Sequence, residues 1–330
     1  MKNTIYLFSD GELVRKDNTL CFKTEDGNRF IPIENVNEIF MFGEVSFNKK
    51  MLELLSQQEI VLHYFGYYGY YMGSFYPREH LNSGYVILRQ AEIYLDGEKR
   101  LELAKLFIQG GVKNILRVLK YYQSRGKQIE EIIANIEKLT ESIDSSPGID
   151  VLMAIEGNIR EHYYHSFDSI LQNKDFLFES RTRRPPKNNL NTLISFGNSL
   201  MYSICLSEIY KTHLDPRIGY LHTTNFRRFS LNLDIAEIFK PIIVDRIIFS
   251  VISKGMISNK DFVAGTEGLM MTDKARKIFV NEMDEKLKTT FNHRSIGHNV
   301  SYRRMIRLEL YKIEKHIMGE KTYDPFIAQW

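Results

Sequence analysis

The segment REHLNSG, residues 78–84, separates two kinds of hydrophobic periodicity in this 330-residue sequence. Before it, apolar residues alternate in short runs broken by turns. The Asp26-Gly27 pair between LCFKT and RFIPI indicates a hairpin, because glycine readily takes the positive φ of a tight turn. After it, from Tyr85 onward, apolar residues recur at helical spacing. The sequence therefore predicts an α+β protein with a β-rich domain at residues 1–84 and a larger, mostly helical domain at residues 85–330.

Two segments of the first domain have more specific interpretations. Residues 48–57, NKKMLELLSQ, predict a short helix among the strands, with Asn48 as its N-cap. Residues 64–77, YFGYYGYYMGSFYP, interleave tyrosine with glycine. We interpret them as a strand pair whose tyrosines cover an interface, and the alternative is a stacking platform for nucleic acid.

Composition excludes several classes of protein. Hydrophobic residues make up 43% and charged residues 26% of the chain, which is typical of a globular protein. No apolar run approaches the roughly 18 residues of a membrane-spanning helix, and MKNTIYLFSDGELV lacks the pattern of a signal peptide. We therefore expect a cytoplasmic protein that does not enter a membrane. The only cysteines, Cys21 and Cys205, lie in apolar patterns, which argues against a disulfide framework or a Cys-based zinc site.

Positive charge is concentrated after the first domain. Residues 1–85 contain 8 Lys and Arg against 11 Asp and Glu, and the remaining residues contain 36 against 30. The loop RTRRPPK, residues 181–187, is held extended by its prolines, so it suits a phosphate backbone, although a solvated basic loop is the alternative. The predicted helix at residues 302–316 is either an amphipathic terminal helix or a basic surface. Its basic residues are Arg303, Arg304, Arg307, Lys312 and Lys315.

The helix predicted at residues 149–167 carries an acidic residue on its apolar side. Leu152, Glu156 and Tyr163 share one helical face, which we expect to point inward. An inward carboxylate is costly unless it is paired or binds a metal ion. Glu156 is therefore either a metal ligand or the buried partner of an arginine such as Arg160, one turn further along.

More candidate ligands lie in residues 219–246, GYLHTTNFRRFSLNLDIAEIFKPIIVDR. His222 precedes Asp234 and Glu237, whose i, i+3 spacing places both acids on one helical face. A neutral imidazole beside carboxylates can hold a divalent cation, and Mg²⁺ or Mn²⁺ prefers oxygen ligands. The alternatives are a core or capping histidine and a solvated acidic face. Pro241, four residues after Glu237, predicts a helix kink beside the candidate ligand.

Four segments in a fixed order resemble a known protein family. They are IEGNIREHYY around Glu156, RTRRPPKNNLNTLISFGNSLMY, LDPRIGYLH ending in His222, and SLNLDIAEIFKPIIVDR with Asp234 and Glu237. Together, over residues 151–246, they resemble the CRISPR-associated protein one (Cas-one) family, the metal-dependent DNA endonucleases and integrases of spacer acquisition. The similarity extends to VILRQAEIYLDGEKRLELAKLFIQGGVKN and IPIENVNEIFMFGEVSF, and so covers nearly the whole chain.

The resemblance implies a fold and a site. An N-terminal β-sandwich-like domain that helps to form a homodimer would precede an all-α catalytic domain that binds metal and DNA. By their place in the motifs, Glu156, His222 and Glu237 are the implied catalytic ligands of Mg²⁺ or Mn²⁺, and Asp234 is an acidic residue beside them. Our hypothesis for DNA contacts names Arg181, Arg183, Arg184, Lys187 and Arg228.

The implied reaction joins DNA strands. The 3′-hydroxyl of a short captured DNA, the protospacer, would attack a phosphodiester at a repeat boundary of the CRISPR array and displace another 3′-hydroxyl, with charge neutralised by the metal ion. The implied partners are these DNAs, a second copy of the chain and a small companion protein, Cas-two. The alternatives are a metal-dependent nuclease that hydrolyses branched or damaged DNA without joining, and a DNA-binding scaffold in which the three residues form a structural polar cluster.

Overall fold

The computed structural model describes residues 2–78, 81, 83–183, 185–223, 229–265, 268–293 and 297–329. Contacts between residues divide the chain into two compact units, Met1–His80 and Leu81–Trp330. The division lies four residues before the boundary that the sequence predicts between residues 84 and 85.

The first unit consists of eight strands and one helix among its described residues. They are β1 (Asn3–Leu7), β2 (Gly11–Lys16), β3 (Thr19–Thr24), β4 (Gly27–Pro32), β5 (Val36–Met41), β6 (Val45–Phe47), α1 (Lys49–Gln57), β7 (Val61–Phe65) and β8 (Tyr71–Phe75). One open sheet has the order β1-β5-β7-β8, in which only β8 is antiparallel to its neighbour. The other has the order β4-β3-β2-β6, in which only β6 pairs in parallel.

One apolar core joins the two sheets. It includes Leu7 of β1, Leu20 of β3, Ile39 of β5 and Leu54 of α1, all nearly inaccessible to solvent. The sandwich-like character of the first unit is therefore confirmed. Helix α1 is capped as expected, because the side chain of Asn48 accepts a hydrogen bond from the backbone N–H of Met51 at 3.2 Å.

Two local interpretations of the first unit are also confirmed. Strands β3 and β4 form the hairpin expected around Asp26-Gly27, and Gly27 has a φ of +131°. The segment rich in tyrosine and glycine contains the antiparallel pair β7–β8, and two of its tyrosines, Tyr64 and Tyr67, are exposed. That the tyrosines of this segment cover an interface stays a prediction.

The second unit is mainly helical. Its described elements are α2 (Gly84–Leu95), α3 (Gly97–Gln123), α4 (Glu130–Glu141), α5 (Ile149–Leu171), α6 (Asn189–Ile209), α7 (Leu231–Phe239), α8 (Arg246–Ser253), β9 (Phe262–Ala264), β10 (Leu269–Met271), α9 (Asp273–Lys288), β11 (Thr290–His293), β12 (His298–Ser301) and α10 (Tyr302–Ile317). The predicted α+β class is confirmed. The unit also contains two hairpins, β9–β10 and β11–β12, so it is not all-α as expected. Strands of three or four residues are too short to show a periodicity in the sequence, which is why they were not predicted.

Two expectations from composition can be compared with the described structure. No helix in the described part of the chain is long and apolar enough to cross a membrane. Cys21 and Cys205 are both buried and unpaired, as the apolar sequence around them predicts.

Helix α7 lies against α3 and α6, and glycine on α3 sets how closely α3 and α7 approach. A Cβ atom at Gly111 would lie 3.0 Å from the backbone oxygen of Glu237. One turn further, buried Asn114 donates hydrogen bonds to the carbonyls of Ile238 at 2.9 Å and Phe326 at 3.0 Å. Glycine and asparagine on α3 therefore hold α7 and the C-terminal segment in place.

The irregularity expected at Pro241 is a π-helical turn, Pro241–Asp245, which links α7 to α8 without a break. The backbone N–H of Asp245 donates to the carbonyl of Lys240 at 3.0 Å, which is an i to i−5 bond. Proline has no N–H, so the regular partner of the Glu237 carbonyl is missing at this point. The turn begins four residues after Glu237, so the irregular hydrogen bonding lies beside the candidate ligand.

Substituting Gly111 tests the close approach of α3 and α7. Gly111→Ala should lower the free energy of unfolding by about 1 kcal/mol or more, because the added methyl group forces the helices apart. Gly157→Ala on α5 is the matched control, since a Cβ there meets nothing within 4 Å. In a helix interior that change should raise the free energy of unfolding by about 0.5–1 kcal/mol. Chemical denaturation measures both, and equal stabilisation by the two variants would contradict the packing described.

Candidate active site

The side chain of Asp234 organises the loop that carries His222. Asp234 lies on α7 and is completely buried. Its Oδ2 accepts hydrogen bonds from the backbone N–H groups of Tyr220 at 2.6 Å and Leu221 at 3.1 Å, and its Oδ1 accepts one from that of His222 at 2.9 Å. A Cβ at Gly219 would lie 2.9 Å from Oδ2, so a glycine allows this close approach. Asp234 thus satisfies three backbone donors that lie outside any helix or sheet.

The same carboxylate orients the ring of His222. Its Nδ1 lies 2.8 Å from Asp234 Oδ1. A carboxylate only accepts hydrogen bonds, so Nδ1 carries the proton and the lone pair of the neutral ring is on Nε2. Burial opposes protonation of the ring, but the hydrogen bond and charge of Asp234 outweigh it and raise the pKa of His222. A carboxylate that fixes the tautomer of a histidine in this way is typical of metal sites.

Glu237 is buried one turn after Asp234 and is held by two cations. Its Oε1 lies 2.5 Å from Lys240 Nζ, and its Oε2 accepts a hydrogen bond from Arg160 Nη2. Burial opposes ionisation of the carboxyl group, but the charges of Lys240 and Arg160 outweigh it and lower the pKa of Glu237 to about 2. Glu237 is therefore an anion at neutral pH.

Arg160 joins α5 to α7 through both glutamates. Its Nε lies 2.9 Å from Oε1 of Glu156, and its Nη2 contacts both the side chain and, at 3.4 Å, the backbone oxygen of Glu237. The latter contact serves the carbonyl that Pro241 leaves without its helical donor. Of the two interpretations of Glu156, the structure contains the arginine pair. Glu156, Arg160 and Glu237 also line one small cavity.

The donor set suits a hard divalent ion, although its side chains do not converge. Among the residues that the structure describes, no group of three or more His, Cys, Asp or Glu side chains is close enough together to hold a metal ion. His222 and Glu237 are nevertheless near enough for the charge of each to shift the pKa of the other. Each carboxylate oxygen has two acceptor positions, so an ion can bind beside an existing cation partner. Glu156, His222 and Glu237 could thus hold an ion once the glutamates turn from Arg160.

Sequence reasoning missed Lys240 and treated Arg160 only as an alternative. Lys240 is buried, and its Nζ lies 3.4 Å from the hydroxyl group and 5.5 Å from the ring centroid of Tyr202. The spacings could have revealed both cations, since Lys240 follows Glu237 by three residues and Arg160 follows Glu156 by four. Two glutamates and two cations make the centre close to neutral.

The extended basic loop is partly fixed by neutral acceptors. Arg181 is half-buried and donates to the Asn191 side chain at 2.9 Å, to the Ser195 hydroxyl at 3.0 Å and to the carbonyl of Thr182. It forms no ion pair with a described carboxylate, and burial lowers its pKa. Tyr202, the neighbour of Lys240, counteracts part of this effect of burial on the pKa of Arg181, so Arg181 lies in the electrostatic environment of the site.

The other predicted DNA contacts differ in what the structure describes. Arg183 and Lys187 are exposed on the same loop as Arg181. Arg184 and Arg228 lie outside the described residues. The assignment of all five residues to DNA binding stays a prediction.

The basic residues of α10 are largely neutralised. Glu208 on α6 is fully buried and pairs with Arg307 at 2.6 Å, Lys211 at 3.1 Å and Arg303 at 3.4 Å. Lys312 pairs with buried Glu309 at 2.8 Å. These contacts favour a structural role for the helix, which packs against α6, over a free basic surface.

Comparison with known proteins assigns a family to the chain. Residues 5–285 match the family model described as CRISPR associated protein Cas1. The chain is 59% identical over 330 residues to "CRISPR-associated endonuclease Cas1 2" of Thermodesulfovibrio yellowstonii, covering 100% of both chains. It is 48% identical over 320 residues to "CRISPR-associated endonuclease Cas1" of Thermotoga maritima, covering 97% of this chain and 98% of that relative.

Solved structures show the same fold. A CAS1 protein from Thermotoga maritima superposes with a TM-score of 0.90 at 48% identity, covering 97% of this chain and 98% of that one. A casposase bound to an integration product superposes with a TM-score of 0.86 at 20% identity, covering 100% of this chain and 96% of that one. The casposase is distant in sequence and shows that the fold is shared.

Removing the charge of Asp234 tests how His222 is held. In Asp234→Asn the amide keeps a similar shape, but the negative charge that favours the imidazolium ion is lost, so the pKa of His222 should fall. An NMR titration of the His222 ring, compared with Asp215→Asn, measures the shift. Asp215 pairs with Arg217 at the start of the same loop and makes no contact with the His222 ring. An unchanged pKa of His222 in Asp234→Asn would contradict the proposed electrostatic role.

Proposed function

The chain belongs to the Cas1 family of CRISPR-associated proteins, and from this premise we propose that it is a divalent-metal-dependent DNA endonuclease and integrase of spacer acquisition. Its substrates are a short protospacer duplex with free 3′-hydroxyl groups and the repeat boundary of a CRISPR array. One P–O bond forms to the incoming 3′-oxygen as another breaks to the displaced 3′-oxygen. The number of phosphodiester bonds is unchanged, so the reaction needs no external energy source.

One structural observation carries the proposal. Two carboxylates on different helices, Glu156 and Glu237, share Arg160 as a partner, and the oriented His222 lies near enough to Glu237 for the charge of each to shift the pKa of the other. Such carboxylates are costly unless a cation is bound or paired there. The curated relatives are named endonucleases, and the casposase structure is described as bound to an integration product, which supports DNA cleavage and joining as the chemistry.

In the proposed mechanism Glu156, His222 and Glu237 hold Mg²⁺ or Mn²⁺. A divalent ion supplies positive charge against the charge that builds up on the phosphate oxygens. The hydrogen bond from Nδ1 to Asp234 fixes the tautomer of His222, so that the lone pair of the neutral ring is on Nε2. Lys240 and Arg160, which pair with Glu237, would contact the phosphate oxygens of the DNA when the glutamates hold the ion.

Arg181 has a separate role in the proposal. Its guanidinium group is held by a carbonyl, an amide and a hydroxyl group, none of which cancels its charge. A preorganised cation of this kind can bind a phosphate without first breaking an ion pair with a carboxylate. We assign to it a phosphate next to the reacting one, with the exposed Arg183 and Lys187 contacting the backbone further along.

The main competing function is hydrolysis of branched or damaged DNA without joining. The same residues would then activate water in place of a 3′-hydroxyl group. The relatives are named endonucleases, which is compatible with both reactions. The products distinguish them, since joining makes a new covalent connection and hydrolysis only shortens strands.

The proposed partners follow from the family. They are the two DNA substrates, a second copy of this chain and the small companion protein Cas-two. A structure described as a Cas6-RT-Cas1–Cas2 complex shares the fold at a TM-score of 0.87 and 18% identity, covering 100% of this chain and 36% of that one. The similarity makes assembly with Cas-two a reasonable proposal for this chain.

A strand-transfer assay tests the function and the site together. The protein is incubated with Mn²⁺, a labelled short duplex with free 3′-hydroxyl groups and a plasmid that carries a repeat array. Glu156→Gln should reduce joining by about 100-fold or more, because even the outer hydrogen-bond partners of metal ligands contribute about 10–100-fold. Glu156 is partly exposed, with 20% of its side chain accessible, so this variant should still fold.

The matched control is Glu161→Gln, an exposed residue five positions along the same helix, which pairs only with His165 in the described structure. It should join DNA at the wild-type rate. Cleavage of DNA by the wild-type protein without any joined product, in the presence of the companion protein, would support hydrolysis instead. Wild-type joining by Glu156→Gln would overturn the assignment of this residue to the site.

A further inference from the structure

A positively charged patch lies on the helical unit apart from the candidate ligands. The ring of Tyr121, near the end of α3, lies 4.7 Å from the guanidinium carbon of Arg125 and 4.8 Å from that of Arg246. On α9, Lys286 lies over the ring of Tyr302, with Nζ 4.5 Å from the centroid. We call these five residues the tyrosine–arginine patch.

The cations of the tyrosine–arginine patch repel one another. Burial, together with the charge of Arg246, lowers the pKa of Lys286 to about 8. The charges of Arg246 and Arg125 also act against burial in setting the pKa of the neighbouring Tyr122, which is raised. No carboxylate contributes to the pKa shift of Lys286 or of Tyr122.

Neighbouring cations on the same helices differ from those of the patch. Lys120 on α3 pairs with Glu137 at 2.7 Å, and Lys288 on α9 pairs with Asp284 at 2.6 Å. Arg125 and Lys286 form no ion pair with any carboxylate in the described part of the chain. Arg125 is also exposed to solvent, so its charge is available to a partner.

The patch is connected directly to the helix of Glu237. Arg246 is the first residue of α8, which follows α7 through the π-helical turn. Arg246 follows Glu237 by nine positions, which is roughly 13 Å along a helix at about 1.5 Å per residue. The candidate ligand Glu237 and the patch residue Arg246 therefore lie on consecutive helices joined without a break.

We propose that the tyrosine–arginine patch binds the sugar–phosphate backbone of duplex DNA beside the phosphodiester that reacts. The proposal rests on the DNA-joining function proposed above and adds a second contact surface to it. Arginine and lysine in this number bind phosphates regardless of base sequence. The ring of Tyr121 is already engaged by two guanidinium groups, so it is not free for stacking with unpaired bases, and this favours a duplex over a single strand.

Binding of a labelled duplex of random sequence, measured with the metal chelated, tests the patch without catalysis. In Arg125→Gln/Lys286→Gln the affinity should fall by about tenfold or more at 150 mM salt, and the slope of log K against log salt should become shallower by about 2, or roughly one for each lost phosphate contact. Lys120→Gln/Lys288→Gln removes the same charge from the same helices at paired positions. It should leave the slope unchanged. Arg125→Gln alone, at an exposed position, should show about half of the slope change.

The outcomes separate this proposal from the function on which it rests. Equal affinity and salt slope for the double variant and the wild type would overturn the patch, even if the wild type joins DNA. An equal loss in the paired control would also overturn it, because net charge alone would then explain binding. A patch variant that loses single-stranded DNA but retains duplex would contradict the assignment to a duplex. Failure of the wild type to bind any DNA would remove the proposed function itself.

Discussion

The ion pairs of Arg160 with Glu156 and Glu237 are the interaction on which the site depends. They place a cation between two helices whose inward faces each carry a carboxylate. Removing one partner of a buried pair of this kind costs about 3–5 kcal/mol, because the other charge stays buried without compensation. The charges of Lys240 and Arg160 lower the pKa of Glu237 and so keep this carboxyl group in the ionised state that a metal ion requires. The same ion pairs thus stabilise the fold without a metal ion and keep Glu237 in the charged state that binds one.

Small and irregular residues bring the charged groups together. Gly111 lets α7 approach α3, Gly219 lets the loop approach Asp234, and Pro241 leaves the carbonyl of Glu237 for Arg160. At the two glycines, a larger residue would collide with the neighbouring helix or with the carboxylate. At Pro241, any other residue would donate its N–H to the carbonyl of Glu237 in a regular helical hydrogen bond. The chemistry of the site is therefore built into the packing of α3 and α7 and into the turn that follows α7.

The sequence predicted those features that depend on local pattern. The change of periodicity near residue 84, the hairpin at Gly27 and the irregular helix at Pro241 all follow from the conformational preferences of a few neighbouring residues. The partners of Glu156 and Glu237 depend on how α5 meets α7, which periodicity does not determine, so Lys240 was missed. The strands β9 to β12 were too short to show alternation. The supporting position of Asp234 came from family resemblance, and the structure shows three backbone hydrogen bonds and one imidazole contact that give it a physical basis.

The most direct test of the central claim is anomalous scattering from crystals of the wild-type protein soaked in Mn²⁺. The account predicts a single site or a close pair of sites with Mn²⁺ about 2–2.3 Å from Nε2 of His222 and from carboxylate oxygens of Glu156 and Glu237. Arg160 should then have moved away from at least one of the glutamates. A Mn²⁺ peak elsewhere on the protein, with the Arg160 ion pairs intact at full occupancy of that peak, would contradict the account.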